Sequence, residues 1–247
     1  MINTAAFLIG APQHFKDKCL VYPPKVVDVA ADPHFWQYTK LLTLTQEEIE
    51  DEFLDKIDAE KIPTPFELLL INSYHSKEYA ALVKKAFQLF IHSDIDFLFD
   101  RKLIVIGNLT EQICSIKSIE DLVYISEDEF FDFQNVVRQS VGDKVVEPPD
   151  PNEDPRVKKI KAKARYRDRI KAKKGMGLKL ESCIASICCM GIGITPLNIG
   201  EMSYASVNTL IRTYQEKEKY EIDIRSLQAG ADSKKIKPKY WIRNLTD

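Results

Sequence analysis

Apolar residues recur at helical spacing through Lys77–Ile91, where Tyr79, Leu82, Val83, Ala86, Phe87 and Phe90 fall on one stripe. A one-sided stripe predicts an amphipathic helix that buries it in a core. Three more helices are marked by their first turns. In Thr64-Pro65-Phe66-Glu67, Thr64 can accept a hydrogen bond from a free N–H, Pro65 suits the first helical position, and Glu67 can reach back to the cap. Thr45…Glu48 and Ser126…Glu129 repeat that spacing. The pattern predicts helices over about 46–58, 65–74 and 127–140, the last ended by Gly142.

Shorter apolar runs predict the strands. Ala6–Ile9 and Lys18–Tyr22 read as an early hairpin, and Ile95–Phe99 with Leu103–Ile106 as a second one turning at Asp100-Arg101-Lys102. Beyond residue 174, Gly175–Met190 is an apolar helical segment carrying Leu178, Leu180, Ile184, Ile187 and Cys188, broken at Gly191-Ile192-Gly193. Thr195 is then placed to cap a short helix opened by Pro196, and Ser203 to cap a long one with Tyr204, Val207, Leu210, Ile211 and Tyr214 on one side. From Gln215 the charged Glu216-Lys217-Glu218-Lys219 leaves no apolar seam, so this helix should emerge from the core and end at Ala229-Gly230. The tail Lys234–Trp241 closes on Tyr240-Trp241, a pair that calls for burial against its own module or against a partner.

Charge divides the chain in the same place. Residues 1–154 hold 14 Lys and Arg against 28 Asp and Glu, whereas residues 155–247 hold 21 against 9. The formal net charge of −2 hides this polarity. Around the reversal, Pro148, Pro149, Pro151 and Pro155 stand among Glu147, Asp150, Glu153 and Asp154, a composition that favours extended, solvated backbone. Arg156–Lys174 follows with eleven cations in nineteen positions and Asp168 as its sole acid. On a helix Lys158, Lys161, Arg165 and Arg169 line one face, and Lys159, Lys163, Arg167, Lys171 and Lys174 another.

The expected fold class is therefore mainly α with a small β component: an α+β N-terminal module over 1–146, an acidic Pro-rich linker and basic solvated helix over 147–174, and an all-α module with a basic aromatic tail over 175–247. Limited proteolysis is expected to cut first near Pro148–Lys163.

Candidate chemistry changes the picture little. Cation density of this kind gives salt-dependent phosphate affinity. Only Tyr166 interleaves with the cations, however, and there is no helix-turn-helix, zinc-finger or ribonucleoprotein motif, so nucleic acid is not expected as a partner. The alternative is that the helix neutralises the chain's own acidic half or an acidic partner surface. His14, His34, His75 and His92 show no metal-ligand spacing, and the five cysteines contain no Cys-x-x-Cys pair. Gly191-x-Gly193 lacks the third glycine of a dinucleotide loop, Pro196 standing there instead, and no phosphate loop is present. No enzymatic activity, catalytic residue, metal or cofactor is expected. The longest apolar tract, Ile184–Leu197, is short of a membrane span, so the expected place is the cytoplasm without a membrane partner.

Gly193-Ile194-Thr195-Pro196, continuing through the capped helix to Tyr214-Gln215-Glu216-Lys217, resembles the C-terminal helical segment of tail assembly chaperones of long-tailed bacteriophages. Tyr22-Pro23-Pro24-Lys25-Val26, the helix start at Lys61–Glu67 and the closing Lys237-Pro238-Lys239-Tyr240-Trp241 extend the resemblance to the whole chain. It implies a non-enzymatic protein of the host cell cytoplasm, commonly absent from the mature virion and often made in two forms by ribosomal frameshifting. Its implied partners are the tape measure protein, held soluble through exposed apolar helix faces, and tail-tube subunits. Self-association is compatible with this reading. Tyr204, Leu210, Tyr214, Tyr240 and Trp241 are then the candidate partner-binding residues, with Lys158, Lys161, Arg165 and Arg169 as candidate electrostatic contacts. The alternatives are a structural component of the tail or baseplate and a nucleic-acid-binding accessory protein.

Overall fold

The computed structural model describes residues 3–53, 62–107, 122–148, 150, 153–154, 156–157, 160–165, 167, 179–232 and 236–242. Over them the chain is mainly helical with small antiparallel sheets. In chain order the elements are α1 (Thr4–Leu8), β1 (Gln13–Phe15), β2 (Cys19–Val21), α2 (Val26–Ala31), α3 (Phe35–Thr43), α4 (Gln46–Phe53), α5 (Pro65–His75), α6 (Lys77–Ile91), β3 (Ile95–Leu98), β4 (Leu103–Ile106), β5 (Tyr124–Ile125), α7 (Glu127–Ser140), α8 (Leu180–Cys189) and α9 (Tyr204–Gln228).

The three capping boxes form as their spacing predicts. Thr64 accepts from the Glu67 N–H at 3.1 Å, and the Glu67 carboxylate accepts in return from the Thr64 N–H. Thr45 with Glu48 and Ser126 with Glu129 repeat the exchange. Each of these glutamates also receives a lysine: Lys40 on Glu48, Lys102 on Glu67 at 2.8 Å and Lys18 on Glu129 at 2.6 Å. All three carboxyls are held below the usual range. For Glu67 the Lys102 hydrogen bond leads. For Glu48 and Glu129 desolvation is the largest single influence and pushes upward, but the lysine and backbone hydrogen bonds outweigh it. Helix α4 is described as far as Phe53, so the expected end near 58 lies outside the described residues.

One early strand is corrected. Ala6–Ile9 does not pair with residues 18–22, because Asn3 caps a single helical turn by accepting from the Ala5 N–H at 3.2 Å, and that turn drives Phe7 fully into the core. The partner of β2 is β1, joined through a tight turn with Lys16 in the left-handed region. The second hairpin forms as expected, Ile95 facing Ile106 and Leu98 facing Leu103, with a 3₁₀ turn over Phe99–Arg101. Strand β5 then adds to β4, giving the order β3-β4-β5.

The main core is aromatic. Phe87 from the predicted stripe of α6 stacks on Phe133 of α7 at 5.2 Å between ring centroids, Phe15 meets Phe133 edge-on at 5.3 Å, and Phe66 packs on Phe130 at 5.3 Å. These rings are shielded from water almost completely, and rings of this size dominate the energetics of a core. A second, smaller cluster joins Val26 to Ile187, Ile199 and Val207.

Helix α9 begins against the first core. Its cap Ser203 accepts from the Ser206 N–H at 3.2 Å and donates to the Leu8 carbonyl at 3.2 Å. The Tyr204 N–H donates to the Pro24 carbonyl at 2.8 Å, and the Val26 N–H to the Met202 carbonyl at 2.9 Å, so the chain just before α9 pairs with the stretch leading into α2. Gly142, which ends α7 with φ +77°, lies directly beneath this turn: a Cβ there would stand 3.1 Å from the Ala205 carbonyl oxygen. Both the left-handed backbone and the close approach require glycine. The Thr195-Pro196 segment also differs from expectation. The Thr195 N–H donates to the Asn198 side chain at 2.8 Å, and the chain makes a turn and a 3₁₀ segment over Ile199–Glu201 in place of a short helix capped by Thr195.

Candidate partner-binding surfaces

The sequence-derived aromatic candidates lie along α9 and the tail, in different surroundings. Tyr204, in its first turn, packs edge-on to Phe35 and Trp36 at 6.0 and 5.5 Å, and burial pushes its hydroxyl up to about 12. Leu210 is half-buried against the smaller cluster. Tyr214 and Ile211 line a groove of about 380 Å³ between α8 and α9, opposite Cys183, Cys189 and Met190. Tyr240 folds back edge-on to Tyr220 at 5.6 Å, and Lys217 lies 5.9 Å from the centroid of the Trp241 ring. The tail therefore docks on the distal part of its own helix while Tyr240 keeps 56% of its surface exposed.

The basic segment is helical over residues 156–157, 160–165 and 167. Arg165 grips Asp51 of α4 with two parallel bonds, Nε to Oδ2 at 2.9 Å and NH2 to Oδ1 at 3.0 Å, and a third bond from NH1 reaches Glu47. Its side chain is three-quarters shielded, and the Asp51 hydrogen bond raises its proton affinity. A fork of this kind is the strong geometry for a guanidinium and a carboxylate. Lys161 pairs with Glu153. Lys158 and Arg169 lie outside the described residues. Of the expected electrostatic face, the described members therefore neutralise the chain's own acidic half.

One surface has no counterpart in the sequence reading. Helix α5 buries Phe66, Leu69 and Leu70 on one side, but Ile71 is 47% and Tyr74 68% exposed on the other. With Phe99, from the turn between β3 and β4, they wall a groove of about 330 Å³ rimmed by Glu67, Asp100 and Lys102. Tyr74 stands edge-on to Phe99 at 5.3 Å, which itself stacks on Phe97 at 5.4 Å, so three rings stand in series on this side of the groove. The signal was present as a helix apolar all round: Phe66, Leu68, Leu69, Leu70, Ile71 and Tyr74 exceed what one buried face needs. An aromatic–aliphatic groove with a charged rim suits an apolar side chain from another protein.

Among the described residues no group of three or more His, Cys, Asp or Glu is placed to hold a metal ion, and no helix is long and apolar enough to cross a membrane.

Compared with known families, residues 170–246 match the model of the YomV second domain, a span of less than a third of the 247 residues. The match suggests a phage-derived protein. No curated protein and no solved structure matches the chain.

Proposed function

We propose that this chain is a non-enzymatic binding protein of a phage, acting in the host cytoplasm as a tail assembly chaperone. It holds an apolar helix of the tape measure protein in the α5 groove and presents its C-terminal helices to tail-tube subunits. The observation that carries the reading is the exposed pair Ile71 and Tyr74 beside Phe99, which together wall an apolar groove. The likeness of residues 170–246 to the YomV second domain supports the phage origin, and the chaperone class rests on the resemblance of Gly193–Lys217 to tail assembly chaperones. A holdase of this kind gains affinity by covering apolar helix faces and needs no nucleotide.

Co-expression with the tape measure protein of the same phage tests it. The tape measure should be markedly more soluble with this chain than without it, and the double variant Ile71→Asp, Tyr74→Asp should lose that effect while keeping its own fold. Equal solubility with and without the chain contradicts the proposal. Stoichiometric recovery of the chain from purified particles favours a permanent tail or baseplate component instead.

A further inference from the structure

A second groove, of about 450 Å³, runs between α3, the start of α4 and the end of α7. Its charged lining residues are engaged with one exception. Glu48 accepts from Lys40 and from the Thr45 N–H at 3.0 Å; Glu47 is held by Arg165; Asp143 receives Arg212 at 3.2 Å. The hydroxyls of Thr39 and Thr43 donate to carbonyls of their own helix at 3.0 and 2.8 Å. Arg138, in the last turn of α7, is half-buried yet has no hydrogen bond or ion pair from its guanidinium among the described residues. Burial lowers its proton affinity, with only the more distant charges of Glu48 and Asp143 to offset it. A position at a helix C-terminus explains a cation there, but it does not explain a desolvated fork left without an acceptor.

We propose that this groove binds the carboxylate of a glutamate side chain presented by a partner protein, with Arg138 as the fork that receives it and Trp36 and Val146 as the wall for its aliphatic stem. Trp36 is 52% exposed on the groove, its ring fixed edge-on against Phe35 at 5.0 Å and Tyr204. The planar, singly charged carboxylate matches the five donors of a guanidinium, whereas a phosphate would bring a second negative charge toward Glu47, Glu48 and Asp143. The site is independent of the α5 groove: the two share no lining residue, and it needs no part of the tape measure reading.

Isothermal titration of the full chain at low ionic strength with acetyl-Leu-Glu-Leu-amide, acetyl-Leu-Gln-Leu-amide and free glutarate tests the proposal. The Glu peptide should bind saturably and about tenfold or more tighter than the Gln peptide, with a loss of similar size in Arg138→Gln. Arg138→Lys, which keeps the charge but not the fork, should bind severalfold more weakly than the native chain; far-UV circular dichroism establishes that each variant is folded. Equal binding of the Glu and Gln peptides, unchanged binding in both Arg138 variants, or no binding of any probe overturns the site. Glutarate binding as tightly as the Glu peptide overturns its assignment to a protein side chain.

Discussion

The N-terminal region and α9 are held by different means. The former closes on large rings from five elements, Phe7, Phe15, Phe66, Phe87, Phe130 and Phe133, all almost completely shielded. Helix α9 is 25 residues long, but its fully buried side chains, Ala205 and Val207, sit in its first turn, and beyond Tyr214 it carries exposed charges and a 61% exposed Ile222. Its anchoring joins a few apolar contacts of Tyr204, Ala205, Val207 and Leu210 to polar and backbone bonds: Ser203 on Leu8, Tyr204 on Pro24, Asn208 on the Val141 carbonyl at 3.1 Å. A core of rings resists loss of any single bond, whereas a helix held at one end depends on the fit of that end.

The largest expected effect falls on the ring core. Phe133→Ala removes the ring that touches Phe15, Phe87 and Phe130 and should cost about 3–5 kcal/mol, read by urea unfolding. A cost below about 1 kcal/mol would show that the ring core is not what holds this region. Next is Gly142→Ala, which puts a methyl into the left-handed turn and against the Ala205 carbonyl. It should destabilise by about 1–3 kcal/mol and loosen the start of α9, seen as faster amide exchange there, with the ring core unchanged. The smallest effect is electrostatic. Because the carboxyls of Glu48, Glu67 and Glu129 are lowered in the folded protein, the stability they contribute is present above the usual carboxylate range and is lost as pH falls below about 4. Glu67→Gln should flatten that acid limb by less than about 1 kcal/mol, since the pair with Lys102 is largely exposed. No change in the acid limb would show that the lysine contact adds nothing to the cap.

How far these differences were legible follows from the range of the interactions. Capping boxes are written within four residues, and Thr64 with Glu67, Thr45 with Glu48 and Ser126 with Glu129 all formed; so did the α6 stripe and the Ser203 cap. Ala6–Ile9 misled because a four-residue apolar run does not distinguish a strand from a helical turn, and Asn3 decided it. The Ile71–Tyr74 groove was only half legible: the excess of apolar residues on α5 was visible, but its exposed side depends on where Phe99 arrives from the hairpin. Arg138 carried no local signal at all. Its lack of an acceptor arises because Lys40, Arg165 and Arg212, distant in sequence, take the neighbouring carboxylates. The same holds for Arg165 itself, whose partners Glu47 and Asp51 lie more than a hundred residues away.

The central structural claim is a ring-cored body from which α9 extends, fixed at its first turns and, beyond Tyr214, only partly covered, with the tail packed on Lys217 and Tyr220. Hydrogen–deuterium exchange of the full chain measures this directly. The slowest amides should lie in α6 and α7, those of residues 205–213 should be intermediate, and those of residues 216–227 should exchange fastest among the helices named here. Protection extending evenly along the whole of α9, at the level of α6 and α7, would contradict it.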